Sequence, residues 1–312
     1  MRDDTGPEQA SAGMAYLDGR YMPVAQAAIP VTDYGYRRSD VTYDVVGVWD
    51  GNFFRLYDHI RRFRASMNAL RLRPKETDDE IADILNRLVA TTGLRNAYVA
   101  MDCLRGRPEP GLPRHPANCR NYLSCYAVPW MSLANEEQIE KGLHLIIPEH
   151  LRRIPPESVE PTVKNFHWGD LTAALFQAHD RGADTAALLD SQGNVTEGPG
   201  CNVFSVSNGV VSTPDRGGLD GITRLSVIEL CAELGIPCEV RPVSAEELRD
   251  ADEAFTSTTA GGIMPVSRVD ERIMGNGRPG PVSRRLYEAF WRKRSEGWHA
   301  TPVRYEAALE HA

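Results

Sequence analysis

The sequence predicts a mixed α/β protein, of the α+β type, built as two domains. Three observations predict it. The chain has 312 residues, more than one hydrophobic core usually fills. Short apolar runs broken by Asp-Gly pairs near the N-terminus are typical of β-hairpins. In the second half, strand-like and helix-like segments follow one another, which is typical of a sheet packed against helices.

The first half shows patterns for hairpins, helices and central strands. The runs MAYLDGRYMPV and TYDVVGVWDGNFFRL predict hairpins that turn at Asp18-Gly19 and Asp50-Gly51. YDHIRRFRASMNALRL has helical apolar spacing, and TDDEIADILNRLVATTG predicts a helix that begins at a threonine cap and ends at Gly93. NAYVAMDCLRG and RNYLSCYAVPW predict central strands, with a loop at 105–118 between them. We therefore expect a flexible tail at 1–14 and a small N-terminal domain at 15–129.

The second half follows an expected interdomain linker at 130–141 and predicts a larger domain at 142–312. Strands are predicted in LHLIIP, TAALLD, CNVFSVSNGVVST, CEVRPV and EAFTST. Helices are predicted in WGDLTAALFQAHDRG, TRLSVIELCAELG, SAEELRDA and PVSRRLYEAFWRKRSEG. The segment TSTTAGGIMPV is predicted to be a loop rich in hydroxyl groups and small residues. This order predicts a mixed α/β domain with a sheet at its core.

Composition excludes several classes of partner. A net charge of −8 and a pI near 5.6 give no general attraction to nucleic-acid backbones. No run approaches the ~20 apolar residues of a membrane span, and the N-terminus MRDDTGPEQASAG lacks the basic and apolar regions of a signal peptide. The six cysteines form no Cys-x-x-Cys pair and lie near no histidine at zinc spacing. We expect a cytoplasmic protein with reduced thiols, no metal site, and no nucleic-acid or membrane partner.

Lys164, in PTVKNFHWGD, is one of only four lysines in a chain with 31 arginines. Val163 and Phe166 beside it would leave its ammonium poorly hydrated and favour the neutral amine. A neutral lysine amine can form an imine with an aldehyde, which an arginine cannot do. A surface lysine before a helix is the alternative, and codon bias can explain the arginine excess.

A second pattern indicates an anion site. LDGITRLSVIEL places Gly221, Ile222 and Thr223 where a helix begins, so unpaired N–H groups and the positive end of the helix dipole face an anion. The turn STTAGG supplies hydroxyls for the same phosphate, although an ordinary helix N-terminus is the alternative. An imine-forming lysine with a phosphate site indicates pyridoxal 5′-phosphate, whose pyridine nitrogen needs an acidic partner. Glu197, in VTEGPGCNVF, is the candidate, and an exposed turn acid is the alternative.

These motifs resemble, in order and spacing, the signatures of the class IV aminotransferases, which are fold type IV pyridoxal phosphate enzymes. The motifs are Lys164, E-x-x-x-x-N-V-F from Glu197, G-I-T-R from Gly221, and T-T-A-G-G-I-M-P from Thr258. The resemblance covers about residues 15–290, and DYGYRRSDVTYDVVGVWDGNFFRLYDHIRRFRASMNALRLR is most similar to (R)-selective amine transaminases and D-amino-acid transaminases. It implies a small N-terminal α/β domain, a larger C-terminal mixed α/β domain with the cofactor between them, and a homodimer.

The resemblance also implies the role of each site residue. Lys164 would hold the cofactor as an imine and, once substrate has displaced it, would shuttle the proton as general acid and base. Glu197 would pair with the pyridine nitrogen, and Arg62, in DHIRRFRAS, would bind the phosphate. The other implied cofactor contacts are Leu219, Ile222, Thr223 and Thr259. The implied substrate-binding residues are Arg38, Tyr43, Val45, Thr258 and Ala260.

Two departures from the (R)-amine enzymes bear on the substrate. Arg38 stands where those enzymes usually have histidine, and Ala100 stands where they commonly have glutamate. Both changes would make the pocket more positive and would favour a substrate carboxylate. We therefore expect the chain to move an amino group between a D-amino acid, or an (R)-amine, and a 2-oxo acid.

Other functions remain open at this point. Branched-chain L-amino-acid aminotransferases share the C-terminal motifs but usually have Phe-Glu-Gly where this chain has Tyr43-Asp44-Val45. A lyase resembling aminodeoxychorismate lyase would use the same lysine for elimination, and a protein that binds the cofactor without turnover is a third class. The 105–118 loop carries three arginines that either bind a substrate carboxylate or are solvated: Arg105, Arg107 and Arg114.

Overall fold

The computed structural model describes residues 13–306, so the predicted tail at 1–14 lies almost entirely outside the described residues. The described chain divides into two compact units. The first unit consists of residues 13–131, Val163–Phe166 and 297–306, and the second consists of Ser132–Thr162 and His167–Glu296. The domain boundaries predicted above run continuously along the chain, whereas the first unit also takes in two later segments.

The described residues form fifteen strands and eight α-helices. The strands are β1 (Met14–Leu17), β2 (Arg20–Pro23), β3 (Val41–Trp49), β4 (Asn52–Phe54), β5 (Ala97–Leu104), β6 (Tyr122–Pro129), β7 (Leu143–Ile146), β8 (Thr185–Ala186), β9 (Asn202–Ser207), β10 (Val210–Thr213), β11 (Cys238–Val240), β12 (Glu253–Thr258), β13 (Gly262–Val269), β14 (Arg272–Ile273) and β15 (Ala300–Pro302). The helices are α1 (Tyr34–Arg38), α2 (Leu56–Ala69), α3 (Asp78–Thr92), α4 (Glu136–Lys141), α5 (Gly169–Asp180), α6 (Ile222–Leu234), α7 (Ala245–Asp250) and α8 (Pro281–Ser295). Short 3-10 turns lie at Val24–Gln26 and Pro116–Asn118.

The first unit is an antiparallel sheet with the strand order β15-β4-β3-β5-β6-β1-β2. Both predicted hairpins are confirmed. Asp18-Gly19 joins β1 to β2, and Asp50-Gly51 joins β3 to β4, with positive φ at all four residues. Two-residue turns of this kind match the right-handed twist of the strands they connect.

Helices α2 and α3 cover one face of this sheet, as their apolar spacing predicts. Thr77 caps α3 through a reciprocal capping box with Glu80, and Gly93 ends the helix with φ at +70°. The core between helices and sheet contains Phe63 and Leu85 from the helices and Val46 from β3. Because successive strand residues point to opposite faces, the odd-numbered residues of β3 and the even-numbered residues of β5 occupy the face without these helices.

The second unit is a mixed sheet with the strand order β11-β10-β9-β12-β13-β7-β8, and β14 pairs with β13. The pairs β10–β11, β13–β7 and β7–β8 are parallel, and the other pairs are antiparallel. Helices α6 and α8 pack on β12 and β13. Phe204 and Phe255 stack at the sheet centre with ring centroids 4.6 Å apart. The mixed α/β fold predicted from the sequence is confirmed.

Several elements differ from the sequence prediction. TSTTAGGIMPV is not one loop, because β12 continues to Thr258 and β13 begins at Gly262. Pro265 argued against a strand, since proline cannot donate to a ladder. The structure tolerates it because β7 pairs with β13 only from Val266 onward. Helix α4 occupies part of the expected linker, and β15 was not predicted.

The last strand explains why residues 297–306 belong to the first unit. β15 pairs antiparallel with β4, and the N–H of Val303 donates to the carbonyl of Gly51. The Tyr305 hydroxyl donates to the carbonyl of Leu94. Among the described residues, no helix is long and apolar enough to cross a membrane.

Candidate active site

The first unit fixes the backbone of Lys164 from two sides. The Thr42 hydroxyl and the Tyr43 N–H, both on β3, donate to the Lys164 carbonyl at 2.6 and 3.2 Å. The Lys164 N–H donates to the Ser66 hydroxyl on α2 at 3.3 Å. The side-chain nitrogen lies 4.3 Å from the centre of the Tyr43 ring. Within residues 13–306 that nitrogen has no hydrogen bond and no ion pair. The backbone of Lys164 is therefore fixed, while its amine has no polar partner in the protein.

A buried network orients Arg62, which lies on the helix that also carries Ser66. Arg62, on α2, donates through Nε and Nη2 to both carboxylate oxygens of Asp44 at 2.8 Å. His59 contacts the same carboxylate through Nδ1 at 2.8 Å. Burial alone would raise the pKa of Asp44, but Arg62 and His59 outweigh it and hold that pKa well below its usual range.

The same burial lowers the pKa of His59, an effect that Asp44 only partly offsets. His59 is therefore neutral at physiological pH. Because the ionised Asp44 can only accept, Nδ1 of His59 must donate to it. The network leaves the guanidinium of Arg62 oriented by a fixed carboxylate.

In the second unit, Glu197 belongs to a buried group of three charges. Arg153 donates through Nε to Glu197 at 2.9 Å and through Nη1 to Asp170 at 2.8 Å. The N–H of Leu219 donates to the other oxygen of Glu197 at 3.0 Å. Burial would lower the pKa of Arg153, but the two carboxylates outweigh it and raise that pKa. One cation between two anions leaves one uncompensated negative charge, which suits a protonated ring nitrogen.

Helix α6 begins beside this group without a side-chain cap. Gly221 is the N-cap residue, and a Cβ there would lie 1.9 Å from the side-chain oxygen of Asn202. Asn202 in turn donates to the Leu219 carbonyl at 2.8 Å. Thr223 is 4 % exposed, yet its hydroxyl has no hydrogen-bond partner among the described residues. A buried hydroxyl and uncapped N–H groups at the positive end of a helix fit a phosphate.

The turn between β12 and β13 carries the remaining predicted residues of this unit. Thr258 accepts from the N–H of Ala260 at 3.3 Å, and the Ala260 carbonyl accepts from Leu133 at 2.8 Å. Ser257 pairs with Asn202 across β12 and β9, so the turn that holds Thr259 follows directly beside the Leu219 and Gly221 segment. The second unit thus brings together its own predicted cofactor residues: Glu197, Leu219, Ile222, Thr223 and Thr259.

The predicted substrate residues of the first unit lie on two elements, α1 and β3. Tyr43 and Val45 share the face of β3 that lacks helices α2 and α3. Arg38 is exposed in α1 and stacks over the Tyr34 ring at 3.7 Å. The expected positive lining is also opposed by an acid that was overlooked, because Asp102 lies on the same face as Ala100 and directly opposite Tyr43.

Arg105 fits neither interpretation of the loop arginines, which were expected to bind a substrate carboxylate or to be solvated. It is buried, donates to both oxygens of Asp40 at 2.9 Å, and donates to the carbonyls of Leu70 and Arg71. It is therefore neither solvated nor available to a substrate, because its hydrogen bonds tie the loop to the end of α2. Arg107 and Arg114 are exposed.

Sequence patterns did not identify Arg153, Asp170, His59 or Asp102 as functional residues. Arg153 and Asp170 lie far from Glu197 along the chain and meet it only in the fold. Asp102 did leave a signal, since it is the one charged residue inside the apolar run NAYVAMDCL. The groups that were predicted, an unpaired lysine amine and an uncapped helix start near a buried acid, fit an aldehyde cofactor with a phosphate.

Comparison with known proteins identifies the same family that the sequence motifs resemble. The family model for amino-transferase class IV matches residues 42–269. A putative branched-chain-amino-acid aminotransferase from Methanocaldococcus jannaschii is 34% identical over 278 residues, which is 88% of this chain and 94% of that protein. The branched-chain-amino-acid aminotransferase of Pseudomonas aeruginosa is 28% identical over 89% of this chain and 92% of its own.

Solved structures agree in fold. The branched-chain aminotransferase of the archaeon Thermoproteus uzoniensis, solved with norvaline, matches with a TM-score of 0.85 and 27% identity, over 93% of this chain and 99% of that one. The Thermobaculum terrenum branched-chain enzyme in its PLP form matches with a TM-score of 0.83 and 29% identity, over 93% and 98%. From the matched length and the identity, the chain belongs to the class IV aminotransferase family, with the fold type IV architecture.

Proposed function

We propose that this aminotransferase takes branched-chain L-amino acids as amino donors and a 2-oxo acid as acceptor. The observation that carries the proposal is the 34% identity, over most of both chains, with the Methanocaldococcus jannaschii protein of that name. The structural neighbours at 27–30% identity are also branched-chain enzymes. They favour the L-branched-chain donors over the D-amino acids expected from the sequence.

The cofactor of the enzyme is pyridoxal 5′-phosphate, as in its class and in neighbours solved with pyridoxamine 5′-phosphate or in the PLP form. When bound, it supplies an electron-poor ring that stabilises negative charge on the donor's α-carbon. Lys164 is proposed to carry the covalent link and to move the proton at that carbon, because its amine is unpaired and its backbone is fixed by β3 and α2. Tyr43 limits where the amine can swing, since its ring packs against it.

Glu197 is proposed to keep a proton on the ring nitrogen. Arg153 donates to one of its oxygens, and the N–H of Leu219 donates to the other. The Leu219 side chain is proposed to pack on the ring face. Without an ionised Glu197 the ring nitrogen would lose its proton, and the ring would attract electrons less strongly.

The phosphate is proposed to bind at the start of α6. The Ile222 N–H and the Thr223 hydroxyl would donate there, and Thr259 would add a second hydroxyl from the β12–β13 turn. Arg62 is proposed as the fourth contact, oriented by Asp44. We also propose a homodimer, for which light scattering after gel filtration would give about twice 34.6 kDa.

A second candidate function is transfer from D-amino acids or (R)-amines. It is favoured by Tyr43-Asp44-Val45, where branched-chain enzymes usually have Phe-Glu-Gly, since this segment of β3 lies directly beside Lys164. The proposed substrate contacts Thr258 and Ala260 are common to both candidates. The two candidates therefore differ in stereochemistry and not in the machinery described above.

Initial rates on one donor panel separate the candidates. The panel contains L-leucine, L-valine, D-alanine, D-glutamate and (R)-1-phenylethylamine, each with 2-oxoglutarate and added pyridoxal phosphate. The highest kcat/KM is expected for L-leucine or L-valine. A higher value for a D-amino acid or for the amine would replace the first candidate by the second. Release of many equivalents of pyruvate per enzyme from aminodeoxychorismate, without any oxo acid, would instead indicate a lyase.

A further inference from the structure

One face of the first sheet carries a cluster of aromatic and acidic side chains, of which only Tyr43 has a role above. Tyr43 on β3 lies directly opposite Asp102 on β5. Tyr126 on β6 lies opposite Ala100, one step along the same face, and the Tyr98 and Tyr126 rings stack with centroids 6.3 Å apart. Residues directly opposite in an antiparallel pair have Cβ atoms about 5 Å apart. Asp102 thus has Tyr43 directly opposite on β3, whereas on β6 it has Ser124 directly opposite and Tyr126 as its diagonal neighbour.

The polar ends of this cluster have no protein partner. Within residues 13–306, neither the Asp102 carboxyl nor the hydroxyls of Tyr43, Tyr98 and Tyr126 form a hydrogen bond or an ion pair. All four side chains are half-buried, so a ligand can reach them. The protein around Asp102 leaves its carboxyl poorly hydrated, and this desolvation raises its pKa to about 7. An unpaired acid in such surroundings gains most from a cation placed beside it.

The chemistry of the cluster selects one kind of ligand. A carboxylate pairs with an ammonium through a charge-assisted hydrogen bond, and tyrosine faces attract the same cation. The Lys164 side-chain nitrogen lies 4.3 Å from the centre of the Tyr43 ring, so this ring is within reach of a nitrogen group. Tyr43 therefore contacts the proposed reacting amine and is also the cross-strand partner of Asp102.

We propose that Asp102, together with Tyr43 and Tyr126, binds the second ammonium group of a diamino donor such as ornithine. The inference rests on the aminotransferase function and on the role of Lys164 proposed above. It extends the donors of this enzyme beyond the apolar side chains of branched-chain amino acids. Asp102 would act on specificity alone and would take no part in proton transfer.

The test compares ornithine with norleucine, in which a methyl group replaces the second ammonium. Both enantiomers of each are used, so the comparison does not depend on the stereochemistry of the reaction. The wild-type ratio of kcat/KM for ornithine over norleucine is expected to fall about 10- to 100-fold in Asp102→Asn, as removal of one charge-assisted hydrogen bond predicts. Asp102→Glu keeps the charge and is expected to retain part of the ratio. Asp83→Asn removes an exposed acid that pairs with Arg304 and is expected to keep the full ratio.

The ratio separates specificity from a general loss of structure, because damage to the fold lowers both rates together. The inference would be overturned if the ornithine-to-norleucine ratio of kcat/KM did not change in Asp102→Asn, or if this ratio were below one in the wild type. In either case, turnover of leucine would still support the proposed aminotransferase function. If the wild-type enzyme processes no amino donor at all, the proposed function fails and this inference fails with it.

Discussion

Arg153 shows how a residue remote in sequence can control the charge of a site. Its guanidinium lies between the buried carboxylates of Glu197 and Asp170 and is itself buried. If the guanidinium is removed, both carboxylates remain in a poorly hydrated environment without a counter-charge. The same residue therefore contributes to stability and to the proposed protonation of the cofactor ring.

Arg153→Met is expected to lower the free energy of unfolding by about 3–5 kcal/mol, the usual cost of leaving buried charges unpaired. Urea denaturation followed by circular dichroism measures it. Arg153→Lys keeps the charge but loses the fork of N–H donors, so an intermediate loss is expected. An unchanged urea midpoint in Arg153→Met would mean that pairing with Arg153 does not stabilise the two buried carboxylates.

Lys164→Ala is expected to reduce transamination at least about a thousandfold, because it removes both the proposed covalent link and the proton carrier. Single-turnover rates with the best donor of the panel measure it. Lys141→Ala is the matched control, since Lys141 is an exposed lysine paired with Glu137. Substantial turnover by Lys164→Ala would transfer the proton-carrying role to another group.

Asp102→Asn is expected to stabilise the protein increasingly as pH rises. The pKa of Asp102 is about 7 in the folded protein and about 3.8 in the unfolded chain, so the unfolded state releases the proton first. Between these values the wild type loses about 1.4 kcal/mol of stability per pH unit relative to the asparagine variant. Thermal unfolding at pH 5, 6, 7 and 8 measures this. A difference that stays constant over this range would contradict it.

Single residues of the site were predictable where the motif is local. Lys164, Glu197 and the Gly221 to Thr223 turn could be proposed from the sequence because each lies in a short segment with a recognisable pattern. Arg153 and Asp102 could not, because their surroundings depend on strand register and on long-range packing. Sequence reasoning therefore found the groups expected to touch the cofactor and missed those that set their charge.

At the scale of elements, Gly221 at the start of α6 is required because a side chain there would clash with a neighbour, and not because of its dihedral angles. Its φ is −65°, which any residue can adopt, but the space for a Cβ is filled by Asn202. Gly169, at the start of α5, has nothing within 4 Å of the corresponding position. Gly221 is the N-cap residue of α6 and Gly169 is the first residue of α5, and only at Gly221 is the space for a Cβ occupied.

Gly221→Ala is therefore expected to weaken cofactor binding at least about tenfold, because either Asn202 or the start of α6 must move by more than an ångström. Titration of the apoenzyme with pyridoxal 5′-phosphate, followed by absorbance and by quenching of tryptophan fluorescence, measures it. Gly169→Ala is the matched control and is expected to bind normally. Equal affinities in the two variants would show that the start of α6 does not need this close contact.

Secondary structure was predictable wherever local chemistry is strong. Capped helices such as α3 and the Asp-Gly hairpins were found correctly. Strand β13 was missed because Pro265 and two glycines argue against a strand, and only its position beside the end of β7 makes it possible. β15 was missed because three residues carry no pattern until β4 pairs with them.

At the scale of the whole molecule, the first unit is not one continuous segment but is assembled from three separate parts of the chain. The first unit takes its outermost strand, β15, from the far end of the described chain. That strand is followed by Val303, which is buried, and by Tyr305, whose hydroxyl donates to the Leu94 carbonyl. The last described residues thus contribute to the core of the first sheet.

A variant that ends at Glu296 is expected to lose about 3 kcal/mol of stability, from the burial of Val303 and from the two hydrogen bonds of Val303 and Tyr305. A variant that ends at Glu306 retains all these contacts and is the control. Urea midpoints compare them. Equal midpoints would show that the first sheet is complete without its last strand.

Four residues, Val163–Phe166, belong to the first unit although the second unit supplies the chain on both sides of them. If the polypeptide were expressed as two pieces cut between Met131 and Ser132, Lys164 would be translated on one piece. Thr42, Tyr43 and Ser66, which hydrogen-bond the backbone of Lys164, would be translated on the other piece. Neither gene fragment could encode a working enzyme alone, and activity would appear only on co-expression, so turnover itself would report that the two pieces had reassembled.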